Sequence, residues 1–294
     1  MSGQSQASAA APQASPAVIS FQGVPGAYSH LACLQVCPDM EPLPCPTFEA
    51  ALETVRAGEA GLCMLPIENS LGGRVADTHH LLPDSGLHIT REYFHPVHHH
   101  LMAPKGAVLA GLREVHSHEQ ALAQCRTTLR ELGLRPVKAA DTAGAARQIA
   151  ELGDPAVGAI ASSLAAERWG LEILRSRVED KLGNVTRFVV MGRDRADPPV
   201  DRNIPCLTSL LFALRSIPAA LYKAMGGFAT NGVNFVKLES YIPVDDSRSA
   251  RFYAEIEGHP GERPVDRALE ELQYFTTSVR ILGVYPQSPF RRQG

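Results

Sequence analysis

The stretch Asn184-Val185-Thr186-Arg187-Phe188-Val189-Val190-Met191 runs from a polar cluster straight into an apolar segment, so it reads as a buried strand with a polar mouth. A strand alternates its faces, which sets Asn184, Thr186 and Phe188 on one side and Val185, Arg187 and Val189 on the other. An amide and a hydroxyl then share a face. A second polar cluster, Glu68-Asn69-Ser70, follows the apolar run Leu62-Cys63-Met64-Leu65. In open α/β sheets the loops past a strand's carboxyl end gather ligands, because the next helix offers free N–H groups there. Asn69 or Ser70 also suits the cap of a helix carrying Val75, His79 and Leu82. A third cluster, His116-Ser117-His118-Glu119-Gln120, precedes a helical stripe of Leu122, Cys125, Leu129 and Leu132, with Gln124 off the stripe's centre.

On either side of these clusters, strand patterns fall near 17–21, 61–65, 87–93, 97–103, 113–116, 136–139, 156–161 and 186–191. Helical patterns fall near 28–37, 48–57, 73–82, 119–132, 142–152 and 161–169. This alternation predicts two parallel α/β units joined by extended crossings near 91–98 and 184–190, hence two lobes and a cleft. The charged, proline-containing run from Arg193 to Pro199 marks a boundary. Beyond it the pattern is strand (206–214), helix (218–229), two strands (233–241 and 251–257), helix (264–274) and strand (279–285). That is the ferredoxin-like βαββαβ order.

The composition is that of a globular metabolic protein. The 294 residues are 45% hydrophobic and 20% charged, with a net charge of −3, so no basic excess points to nucleic acid and no apolar span points to a membrane. The start, rich in Ala, Ser, Gln and Pro, reads as a disordered tail and not a signal peptide, which predicts a cytoplasmic protein. The six cysteines show no CxxC pairing and read as free thiols. His95, His98, His99 and His100 invite a metal reading, but alternation lets only His98 and His100 converge, and no paired cysteine or carboxylate is near in sequence. The segment reads as a crossing between lobes and not as a metal site.

In this order and spacing the clusters resemble the prephenate dehydratase family. The likeness starts at Gly23-Val24-Pro25-Gly26-Ala27-Tyr28-Ser29-His30 and passes through Pro66-Ile67-Glu68-Asn69-Ser70, Ser117-His118 with Gln124-Cys125, and Asp141-Thr142-Ala143-Gly144. It closes on Asp180, Asn184 and Thr186-Arg187-Phe188. The resemblance implies the two-lobed fold of type II periplasmic binding proteins and the conversion of prephenate to phenylpyruvate without a cofactor. It implies Thr186, Glu68 and Asn69 as catalytic residues, Thr186 being favoured as the acid over Glu68, and Ser70, Ser117, Gln124, Asn184, Arg187 and Phe188 as substrate-binding. For Arg187 two roles stay open, a substrate carboxylate or an ion pair holding lobes together.

The C-terminal part resembles an ACT domain, an amino-acid-binding module most often used at an interface between two copies. The resemblance implies L-phenylalanine as effector, contacted by Ala220, Leu221, Asn231, Gly232, Val233, Asn234, Glu239 and Ser240. The chain departs from the family where Gly-Ala-Leu is usual, reading Ala219-Ala220-Leu221, and where Glu-Ser-Arg-Pro is usual, reading Glu239-Ser240-Tyr241-Ile242-Pro243. A missing glycine crowds a close backbone approach, and a tyrosine cannot supply the arginine's charge.

The expected organisation is a tail (1–16), a catalytic domain (17–193), a linker (194–204), an ACT domain (205–286) and a second tail (287–294). The apolar runs at 206–212 and 233–236 exceed what two helices cover, which predicts a homodimer or homotetramer. Arogenate dehydratase, a solute-binding protein and an amino-acid sensor are the alternatives. The missing export signal and the C-terminal module speak against the second, and the polar cleft set against the third.

Overall fold

The computed structural model describes residues 16–241 and 250–292. Along the chain, the first unit holds β1 (Val18–Gln22), α1 (Tyr28–Val36), β2 (Glu41–Cys45), α2 (Phe48–Ala57), β3 (Leu62–Asn69), β4 (Gly73–Arg74), α3 (Ala76–Leu81) and β5 (His88–Pro96). The second holds β6 (His100–Ala103), β7 (Glu114–His118), α4 (Glu119–Gln124), α5 (Arg126–Glu131), β8 (Arg135–Ala139), α6 (Thr142–Leu152), β9 (Val157–Ala161), α7 (Ser163–Trp169) and β10 (Glu172–Arg175). Then β11 (Val185–Gly192) returns to the first sheet. A third unit follows: β12 (Cys206–Leu214), α8 (Ala220–Thr230), β13 (Phe235–Tyr241), β14 (Arg251–Glu257), α9 (Arg263–Phe275) and β15 (Thr276–Pro286).

Three sheets result, ordered β2-β1-β3-β11-β5 with β4 hairpinned onto β3, then β10-β6-β9-β7-β8, then β13-β14-β12-β15. The first two are mixed, since β11 runs antiparallel to β3 and β5 while β1, β2 and β3 are parallel. The third has the strand order and antiparallel pairing of a ferredoxin-like sheet.

The crossings differ from the sequence reading. Pro96 pairs with Val185 and His88 with Gly192, so β5 and β11 lie side by side within the first sheet. The chain crosses only at 97–99 and 176–184. Three strands escaped the periodicity: β2, β10 and the short β4, which falls where the helix over 73–82 was expected. β2 and β10 are edge strands. β2 reads Glu41-Pro42-Leu43-Pro44-Cys45, and an edge tolerates prolines that lack an N–H.

The helix expected over 119–132 breaks at Cys125, where φ −120° and ψ 21° leave the helical basin. Asp180 fills the break. Its N–H donates to the Gln124 carbonyl at 2.6 Å and its carboxylate accepts the Thr127 N–H at 3.0 Å. The return crossing therefore fixes the turn that carries Gln124.

Core packing ties the third sheet to the first lobe. Leu207, Tyr253, Leu282 and Tyr285 share one apolar cluster with Leu52, Leu65, Ile67, Ile89 and Val189. At Gly283 a Cβ would sit 1.9 Å from the Ile89 carbonyl, so β15 approaches β5 as closely as glycine permits. The sheet face expected to need a second copy is covered within the chain. α8 and α9 cover the opposite face with Phe228, Ala268 and Leu272. Residues 287–292, read as a tail, also pack, with Phe290 stacked on Phe94 at 4.7 Å and Arg291 bound to Glu92. All six cysteines are unpaired and buried.

Candidate active site

The register of β3 against β11 builds the site. Thr186 sits opposite Asn69 and Arg187 opposite Glu68, so the first pair shares one face of the sheet and the second pair the other. On the first face a cleft of about 250 Å³ opens between the lobes, lined by Asn69, Gln124, Asn184 and Thr186 together with Tyr28 and His99. Among the described residues no lysine or arginine lines it. A wider hollow of about 750 Å³, beside residues 200–206 and the start of α9, contains none of these groups.

Hydrogen bonds order the cleft amides. The Asn69 Oδ1 accepts the N–H groups of Leu71 (3.0 Å) and Gly72 (2.7 Å), which pins the oxygen end of that amide to the β3–β4 turn. Its Nδ2 therefore donates to the Thr186 Oγ1 at 3.0 Å and the Asn184 Oδ1 at 2.7 Å. Because Thr186 accepts there, its own hydrogen is free to point elsewhere. Asn184 is buried and passes Nδ2 to the Gln124 Oε1 at 2.8 Å.

The opposite face of β11 is ionic. Arg187 is buried, and its guanidinium donates to Glu92 (2.9 Å), Glu255 (2.7 Å), Glu68 (3.3 Å) and the Tyr285 hydroxyl (3.3 Å). Glu255 and Tyr285 belong to the third unit, so this side chain joins that unit to the first lobe. The substrate-binding expectation for Arg187 is corrected: alternation turns it away from the cleft, toward four partners that use its donors. Glu68 is corrected with it. Burial alone would raise its carboxyl, but the hydrogen bond and charge of Lys237, with Arg187 behind them, hold it below the ordinary range. It is an ionised staple and not a reservoir for a proton.

Three more expected site residues turn out to be structural. Ser117 is fully buried and donates to the Ile160 carbonyl at 2.6 Å, tying β7 to β9. Ser70 donates to the Gly183 carbonyl and accepts the Val185 N–H at 3.0 Å, fastening the turn to the start of β11 outside the cleft. Phe188 shares the face of Thr186 but lies under α1, packed with Ile19, Phe21 and Cys33.

Tyr28, His118, Asp141 and Thr142, which stood in the motifs of the family likeness without a substrate-binding role, and His99, which did not, also line the cleft. His99 stood in a run read as a crossing between lobes and not as a metal site, and the carboxylate said to be missing there is Glu179, which binds the His98 ring at 3.0 Å and the His99 N–H at 3.0 Å. Its distance in sequence hid it.

The comparisons agree with this geometry. Residues 19–196 match the family model described as prephenate dehydratase. The chain belongs to the prephenate dehydratase family. It is therefore a lyase of phenylalanine biosynthesis. It is 50% identical over 277 residues to a bifunctional N-acyl-homoserine lactone acylase/prephenate dehydratase of Komagataeibacter europaeus, covering 94% of this chain and 98% of that one. It is 39% identical over 287 residues to arogenate dehydratase/prephenate dehydratase 1 of Arabidopsis thaliana, covering 93% of this chain and 73% of that one. Among solved structures, the prephenate dehydratase of Arthrobacter aurescens in complex with L-Phe superposes with a TM-score of 0.83 at 31% identity, covering 92% of this chain and 90% of that one.

The effector residues expected for such a dehydratase are not brought together in one chain. Ala220 and Leu221 open α8, while Asn231, Gly232, Val233 and Asn234 follow its other end, 11 residues and roughly 16 Å away. Asn231 is engaged by the Gly227 carbonyl and Glu271, Asn234 by Glu257, and Val233 is buried in the core. Glu239 turns to Arg74 and Lys237, and Ser240 is exposed on β13. Ala219 holds φ +58°, the left-handed conformation that suits the glycine usual there. Ile242 and Pro243 lie outside the described residues.

Proposed function

We propose that the cleft catalyses the decarboxylating dehydration of prephenate to phenylpyruvate, with the Thr186 hydroxyl donating to the departing hydroxyl group. The observation that carries this is the direction of the Asn69–Thr186 hydrogen bond, which occupies the oxygen and releases the hydrogen. The C–COO⁻ bond breaks to give CO2, its electron pair enters the ring, and the ring C–O bond breaks at the far end. The leaving oxygen takes a proton and departs as water. Asn69 steadies the Thr186 oxygen while that proton moves, and water restores it.

A cleft with no lysine or arginine among its described lining residues suits a substrate that must lose a carboxylate, since a cation held against that group would oppose its conversion to neutral CO2. Asn184 and Gln124 are read as its neutral donors. Arogenate is the second substrate reading. Asp141 favours it, because a carboxylate at the cleft can meet an ammonium.

The third unit is read as an ACT domain that binds L-phenylalanine between two copies, since the two ends of α8 reach one ligand only if each comes from a different chain. Exposed Tyr222 and Tyr274 on α8 and α9 suit such a contact. We divide the chain into a catalytic part (17–193), a linker (194–204) and this module (205–286), in a homo-oligomer of the cytoplasm. No helix of the described residues is long and apolar enough to cross a membrane.

Purified protein incubated separately with prephenate and with arogenate is expected to release phenylpyruvate from the first, and phenylalanine only if the second is accepted. An N-acyl-homoserine lactone belongs in the same panel, because the Komagataeibacter relative carries that activity in its name. Absence of phenylpyruvate and phenylalanine at neutral pH would overturn the dehydratase reading. Calorimetry with millimolar phenylalanine, repeated on Asn234→Ala, tests the effector. No heat and no inhibition would reduce the module to an assembly element.

A further inference from the structure

The hydrogen bonds of the cleft carry their direction beyond Thr186, to a pair of side chains on the other wall. Backbone N–H groups of Leu71 and Gly72 can only donate, so the Asn69 atom they meet is oxygen and the opposite atom is nitrogen. That nitrogen can only donate, which makes the near atom of Asn184 an oxygen and its far atom a donor. The far atom donates to Gln124 at 2.8 Å, so Gln124 presents its oxygen. The same oxygen lies 2.9 Å from the His99 Nε2, which must therefore carry a hydrogen. In a neutral ring Nδ1 is then bare, and the Tyr28 hydroxyl stands 2.8 Å from it and 2.7 Å from the His98 carbonyl, so its one hydrogen is shared between these two acceptors.

The ring is held on every side. His99 is buried, its backbone N–H donates to Glu179, and Tyr28 lies edge-on to it with ring centroids 5.8 Å apart. Burial and the neighbouring His98 push its imidazole below the ordinary value, against the opposing pull of Gln124 and Glu179, so the neutral form prevails at neutral pH. With its oxygen committed twice, Gln124 has no protein partner for its amide nitrogen among the described residues, and its side chain lines the cleft.

We propose that His99 and Tyr28 are positioning residues that lock the Gln124 amide with its nitrogen toward the substrate, making it a donor to a substrate carboxylate. Where no described lysine or arginine lines the cleft, an amide held in one orientation supplies what a freely flipping one would supply only part of the time. The inference rests on the dehydratase reading for its ligand, but not for the tautomer it assigns to His99.

Two measurements on the full chain test it. Nitrogen-15 NMR of the histidine rings should show His99 neutral at pH 7 with its hydrogen on Nε2. A hydrogen on Nδ1, or an imidazolium, would overturn the chain of donors whether or not prephenate is turned over. In steady-state kinetics His99→Phe should raise KM for prephenate about tenfold, the loss of one well-placed hydrogen bond, and Tyr28→Phe should raise it less. His99→Gln, whose amide nitrogen can stand where Nε2 stood, should recover most of the loss. An unchanged KM in His99→Phe, or a His99→Gln that folds normally yet is no better than the phenylalanine variant, would sink the proposal. Should His99→Phe fail to fold, the tautomer and the glutamine variant still decide.

Discussion

The two faces of β11 differ by chemistry within a single residue step. Thr186 looks into a cleft where its neighbours are the neutral amides of Asn69 and Asn184, while Arg187 looks into a buried knot of carboxylates, a lysine and two tyrosines. A residue shift of one exchanges these faces, so the strand's register decides which side is catalytic and which is structural. Charge is concentrated where nothing needs to react. The lesson is that an arginine next to a catalytic-looking threonine owes its place to alternation and not to the substrate.

The largest effect should come from the neutral face. Thr186→Ala removes the hydroxyl hydrogen that Asn69 leaves free and should lower kcat by roughly 10²–10⁴, with KM and thermal midpoint little changed. Thr186→Ser should be far milder. Steady-state kinetics beside a thermal melt checks both, and an alanine variant with near-normal kcat would erase the proposed division of labour.

On the ionic face the effect should be on stability instead. Arg187→Met leaves the buried Glu92 and Glu255 with Arg291 as their remaining cation, which costs up to about 3–5 kcal/mol. Urea unfolding should show this. A variant of normal stability but impaired KM would return Arg187 to the substrate.

The smallest effect separates the faces by pH. His95 lies opposite Thr186 in the sheet and is buried; burial first, and the charge of His98 second, push it down to about 4. An unfolded chain takes up that proton near 6.5, so the stability due to His95 is complete above about 6.5 and is lost as pH falls toward 4, at most about 3 kcal/mol. Glu68 acts lower, its share being present above the ordinary carboxylate value and lost as pH falls through its depressed one. Unfolding midpoints against pH should therefore drop first on the cleft side, and His95→Phe should flatten the slope between 6.5 and 4 without touching the lower limb. An unaltered slope would assign that window to other buried histidines such as His79.

The sequence disclosed what period and residue type encode. The buried runs at 62–65 and 188–191 and the meeting of Asn69, Gln124, Asn184 and Thr186 follow from local pattern or from the family likeness, whereas the cap read at Asn69 or Ser70 does not form, since the helix Ala76–Leu81 starts after Val75 with no side-chain cap. It concealed what only distance in space creates. Ser117 reads as a cleft hydroxyl until Ile160, 43 residues on, takes its hydrogen. Glu68 reads as an acid until Lys237, 169 residues on, neutralises it. The third sheet looked open because its cover, β5, lies so far back along the chain.

That shared core also bears on the order in which the protein can be completed as it leaves the ribosome. All strands of the second sheet lie within residues 100–175, so that lobe has every part it needs once the chain has passed them. The first sheet, although begun earlier, waits for β11, and its outer layer waits for Leu282 and Tyr285 near the end. The middle of the chain is thus the first unit able to close during synthesis, and the half-built first lobe is the surface that must be kept from aggregating until the last strand arrives.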